Sequence, residues 1–221
     1  MGVYSALTAG GSIEFGDGIQ IVVNAYRCAK ESFTQKQGAM YFIIGLQQHE
    51  LQEIIQKSQM QEHVEISNEN SQYCMTISGL KAEAEAVAEM ALDEGALKAV
   101  RINTSFPFHS RLAEEASEKF GEYLKKINIK KSKYPLVSCI DQKIFGNEVN
   151  EIKNELIFNL KSKISWQKTV EKAAKIGVNS FIEVGLGESL CRISKEINRK
   201  FEFKGYEKLF ASMERGAEFV Q

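Results

Sequence analysis

The chain has three histidines, His49, His63 and His109, and the last stands where a general base would be useful. His109 comes after Phe106-Pro107-Phe108, close behind a strand-like run, and a loop there can aim an imidazole into a cleft. His49 and His63 lie among polar neighbours and read as exposed. A histidine base needs a nucleophile to deprotonate, an acceptor to fix its tautomer and donors for the oxyanion that forms. The first residues bear on the nucleophile. Met1-Gly2-Val3-Tyr4-Ser5-Ala6-Leu7 reads as the second half of a G-x-S-x-G elbow, with the serine directly before Met1. Met1 then takes the oxyanion-hole position, where the backbone N–H after the serine is a donor. Ser5 falls a helical turn beyond the elbow, Ser12 lies further still, and Ser110 adjoins the base. None of them replaces that serine, so no nucleophile is expected within the chain.

The elements that must position these groups can be read from periodicity. Residues 3–10 and 17–32 read as helices, the second with Ile19, Val22, Val23 and Tyr26 on one apolar face. Residues 40–46 read as a strand, 48–58 as a helix, and 64–67 and 73–77 as strands around a turn at Asn68-Glu69-Asn70-Ser71. A helix over 81–94 and a strand over 98–103 complete a β-α-β-β-α-β order, the ferredoxin-like pattern. The expected fold class is α/β. A small ferredoxin-like domain, 39–104, is inserted into a larger parallel-sheet domain made of 1–38 and 105–221. In the larger part, helices are expected from His109 to about Lys126 and over 149–160, 166–176 and 187–199. Strands are expected over 136–140 and, buried, over 180–184.

Composition narrows the function classes. A net charge of −1 over 221 residues suggests neither a nucleic-acid binder nor a membrane-surface protein. No apolar run approaches a membrane span, and the start lacks the basic region of a signal peptide. Cys28, Cys74, Cys139 and Cys191 are scattered, without C-x-x-C spacing, which reads as reduced thiols in a cytoplasmic protein with no metal site. Lys125, Lys126, Lys130, Lys131 and Lys133 form a basic run that reads first as a solvated face.

Four segments together resemble one family. Gly2–Leu7 with Gly11 and Ile13–Gly18 resembles the elbow helix of the malonyl-CoA:acyl carrier protein transacylases, which include the acyltransferase domains of polyketide and fatty acid synthases. Thr104–Ser110 resembles the segment bearing the family's catalytic histidine. Trp166 with Thr169-Val170 is similar to its tryptophan helix, and Phe181–Gly187 to its E-V-G-P-G turn, with Leu186 at the proline. The resemblance implies an α/β-hydrolase-like parallel sheet, here partial, and the ping-pong transfer of a small acyl group from acyl-CoA to the phosphopantetheine thiol of an acyl carrier protein. No bound cofactor is implied.

It also implies roles. The backbone carbonyl of Asn159, seven residues before Trp166, would orient His109. Phe108 would favour a small acyl group, and Asn70 would line the cleft. The family's carboxylate-binding arginine falls at Ala25; the nearest arginine, Arg27, lies about 200° round the helix and should face away. The basic run would become a landing patch for the carrier. As it stands the chain is expected to be inactive, as a start placed at an internal methionine would make it. It should also be poorly soluble unless a partner covers an open sheet edge. The alternatives are a hydrolase clearing acyl groups from carrier proteins and a non-catalytic remnant or docking module.

Overall fold

The computed structural model describes residues 2–34, 37–207 and 210. Two helices come first, α1 (Gly2–Ala9) and α2 (Phe15–Ser32). The buried row of α2 is Gly18, Ile21, Ala25 and Ala29, not the face read from the larger residues. Ile19 and Tyr26 are 47% and 53% exposed. Small side chains let a neighbouring helix approach closely, so the small row takes the interior and the bulky row is left at the rim.

The next six elements are β1 (Gly38–Ile44), α3 (Gln48–Lys57), β2 (Val64–Ser71), β3 (Cys74–Leu80), α4 (Lys81–Asp93) and β4 (Lys98–Arg101). Their sheet runs β4-β1-β3-β2 with antiparallel neighbours, as the ferredoxin-like pattern requires. Its core joins Ile43, Met75 and Ile77 to Leu51 and Ile55 on α3 and to Val87 and Ala91 on α4. The expected turn at Asn68–Ser71 is instead the end of β2, and the chain reverses at Gln72-Tyr73. Register shifts between Ile66 and Asn68 and between Glu69 and Ser71 absorb Ser67 and Asn70 as bulges. Thr76 satisfies both: its carbonyl accepts from Ser67 Oγ, and its hydroxyl from Asn70 Nδ2. Cross-strand partners outweigh the turn preference of these residues.

The remainder comprises α5 (Glu114–Leu124), β5 (Leu136–Val137), β6 (Ile144–Phe145), α6 (Val149–Lys161), β7 (Ile164–Ser165), α7 (Trp166–Lys175), β8 (Ser180–Glu183), α8 (Ser189–Ile197) and β9 (Glu202–Gly205). A 3-10 turn, Arg111–Ala113, opens α5. The strand expected over 136–140 stops at Val137, because Ser138 Oγ accepts the N–H groups of Ile140 and Asp141 and turns the chain. A second core gathers Leu7, Ile21, Phe120, Leu124, Ile152 and Leu156 from α1, α2, α5 and α6. Among the described residues parallel pairing occurs twice, between β8 and β9 and between β2 and β7. The strand at 180 is not buried as expected: Ile182 is 51% exposed and Val184 80%. Among the described residues β8 is paired on one edge only.

Candidate active site

The segment before His109 is held from several sides. Gly38 N–H donates to Ser105 O at 3.0 Å, and Gly38 is glycine for a reason of space. A Cβ there would lie 2.3 Å from Pro107 Cδ and 2.7 Å from Pro107 N. Ser78 Oγ donates to Phe108 O at 2.8 Å, and Ser110 Oγ to Pro107 O at 2.6 Å. The Phe106 ring meets Tyr26 edge-on at 5.5 Å and Phe108 at 5.7 Å. His109 itself has φ +58°, a left-handed conformation that costs a non-glycine residue about 1–2 kcal/mol. Its backbone N–H holds that conformation by donating to Leu160 O at 2.7 Å.

The partner carbonyls come from a helix end. The last four carbonyls of a helix lack intrahelical donors, and α6 ends at Lys161. Leu160 O takes the His109 N–H. Asn159 O faces the imidazole and favours its protonated form, as does the negative end of a helix dipole. Burial works against it more strongly and pushes the His109 pKa down to about 4. His109 keeps some exposure as a residue, yet Nδ1 is buried and meets no partner of hydrogen-bond geometry among the described residues. The ring is neutral at pH 7 and can accept a proton.

The other expected residues fall as follows. Phe108 is half-buried against the second core. Asn70 is engaged with Thr76, so its amide is held within the sheet. Arg27 is exposed, while Ala25 is buried. Met1 lies outside the described residues. Ser5 is exposed on α1, Ser12 is buried, and Ser110 is buried with its hydroxyl bonded. His49 and His63 are exposed as expected. In the basic run, Lys125, Lys130 and Lys131 pair with Glu122, Glu14 and Glu148, which lowers the run's net charge. A groove of about 590 Å³ bounded by Glu31, Phe33, Glu62, His63 and Glu115 does not include His109. Its glutamates would repel an anionic acyl group.

Sequence reasoning missed Ser78 and Leu160, which hold the histidine loop. No spacing rule joins Ser78 to a carbonyl thirty residues on. The C-terminal end of α6, by contrast, could have been searched as a source of free carbonyls.

No family model matches the chain. The malonyl CoA-acyl carrier protein transacylase of Bacillus subtilis is 32% identical over 203 residues, 91% of this chain and 64% of that protein. That of Haemophilus influenzae is 32% identical over 197 residues, 89% of this chain and 63% of that protein. Among solved structures, the transacylase of Coxiella burnetii superposes with a TM-score of 0.86 at 30% identity, covering 92% of this chain and 64% of that one. A malonyl-transacylase solved in complex with a type II polyketide acyl carrier protein gives 0.84 at 28% identity, over 92% of this chain and 65% of that one. The chain therefore spans just under two thirds of these proteins. It is a relative, in sequence and in fold, of the malonyl-CoA:acyl carrier protein transacylases.

Proposed function

We propose that the chain carries the base half of a Ser-His acyltransferase that moves a small acyl group from CoA to the phosphopantetheine thiol of an acyl carrier protein. The observation that supports this most is the neutral imidazole of His109, held by its backbone at a helix C-terminus whose next carbonyl faces the ring. In the first half-reaction His109 takes the proton of a serine as its Oγ attacks the thioester carbonyl. The imidazolium then protonates the departing CoA thiolate. In the second, His109 deprotonates the carrier thiol, which attacks the acyl-serine, and returns the proton to the serine oxygen. The Asn159 carbonyl stabilises the imidazolium in both. The elbow reading puts the serine beside Met1; Ser5 is exposed on α1, Ser12 is buried and Ser110 donates its hydroxyl to Pro107 O. We take 39–104 as the small domain that closes over the His109 loop, through Ser78.

A second reading has an observation in its favour. With Ala25 buried and Arg27 turned to solvent, no arginine of α2 is placed to hold a malonyl carboxylate. An uncharged acyl group, or hydrolysis of acyl carriers, fits that better. The test uses the chain together with any in-frame codons upstream of Met1, given labelled malonyl-CoA or acetyl-CoA and a holo-acyl carrier protein. Transfer to the carrier, reduced about 10²–10⁴-fold by His109→Ala, is the expected result. Release of free acid supports the hydrolase, and equal rates for both proteins remove His109 from the chemistry.

A further inference from the structure

We infer that Glu69 is a positioning residue, which fixes the exit of α6 and through it the carbonyls that hold His109. This rests on His109 being the base but concerns groups the acyl-transfer reading does not use. Glu69 lies on β2 and is 8% exposed. Its carboxylate lies 3.2 Å from Lys168 Nζ and 3.7 Å from Lys163 Nζ. Those lysines flank the junction of β7 and α7, where Ile164 and Ser165 pair in parallel with Asn68 and Glu69. The junction follows α6 directly, so Lys163 is only three residues beyond Leu160, the acceptor of the His109 N–H.

The opposite side of α6 is tied as well. Lys161 pairs with Glu114 at the start of α5, and its ammonium sits 5.0 Å from the centre of the Phe158 ring. The α6 end is thus held between two ion pairs, one reaching back to the helix after His109 and one reaching across to the small sheet. Glu69 is the inner, buried anchor. Burial pushes the Lys163 pKa down, while Glu69 draws it back up. Removing the carboxylate leaves two ammonium groups facing one another across the junction. The nearest relief is for residues 162–165 to move away from β2, and the Asn159 and Leu160 carbonyls move with them.

The test is amide hydrogen exchange on the chain and its Glu69→Gln variant. The indicator amides are His109, which donates to Leu160 O, and Ser165, which donates to Cys139 O. Ile77, buried in the middle of β3, is the control. Glu69→Gln should speed exchange at both indicators by about tenfold and leave Ile77 within about twofold. Lys163→Met removes the tie at the α6 exit itself, leaves Glu69 paired with Lys168 and so should fold, and should move the same two amides less far in the same direction. Uniform acceleration, Ile77 included, would reduce Glu69 to a general stabiliser and overturn the inference. So would unchanged indicators in both variants. If Glu69→Gln does not fold, Lys163→Met decides alone. Because exchange is read without substrate, this result stands apart from whether His109 catalyses anything.

Discussion

At the scale of residues, the main feature is a histidine kept neutral by its surroundings. The His109 pKa of about 4 lies below its ordinary value of 6.5, burial being the main cause. Between those values the unfolded chain binds more protons at this position than the folded one. Stability from this group is therefore complete above about pH 6.5 and is lost as pH falls towards 4. The residue keeps some exposure, so the loss should be about 1–3 kcal/mol rather than the full burial penalty. Urea unfolding at pH 7 and pH 4.5 measures it, and His109→Gln should flatten the difference. A wild-type difference unchanged in that variant would move the pH sensitivity to other groups. The histidine was legible because its type is rare here and its segment has a family likeness. Asn159 was legible only as a position, since a backbone carbonyl carries no side-chain signature. Glu69 was not legible at all: its lysine partners lie over ninety residues away, and only the β2–β7 pairing brings them together.

Among the elements, helices and the small sheet could be read from periodicity, whereas the choice of buried face could not. α2 shows why. It carries two rows of apolar residues, and hydrophobicity alone favours the bulky one, yet the row that packs against α1 and α5 is Gly18, Ile21, Ala25 and Ala29, with Thr8 of α1 against Gly18. Likewise, Asn68–Ser71 has turn composition, but neighbours on both edges recruit it into β2. Close approach also governs the join between β1 and the histidine loop. Gly38→Ala would set a Cβ against the backbone nitrogen and ring of Pro107, neither of which can swing aside as a flexible side chain would. Overpacking of this kind costs about 1–3 kcal/mol. The variant should unfold at lower urea and, because Pro107 lies two residues before His109, should also shift the His109 ring resonances. A shift of neither would mean that the loop has room the packing does not show.

For the whole molecule, the open question is how the parallel pair β8–β9 remains in water. Two strands are too few to be stable without cover, and parallel sheets are ordinarily buried on both faces. Here one face is covered: Phe181 stacks on Phe203 at 4.9 Å, and the Glu183 carboxylate accepts the N–H groups of Leu190 and Cys191. Ile182 takes the opposite face at 51% exposed, and just beyond the strand Val184 and Leu186 are 80% and 96% exposed. A net charge of −1 gives little repulsion to keep copies apart. The chain should therefore associate as its concentration rises, which sedimentation velocity at two concentrations about tenfold apart would show as growth of larger species. Ile182→Lys with Val184→Lys should suppress that growth. Since both side chains leave the covered face untouched, the urea midpoint should not move. Suppressed association with an unmoved midpoint assigns the effect to this surface; a fallen midpoint would mean that the outer face supports the fold, and a monomeric parent chain at both concentrations would mean that the edge is already protected.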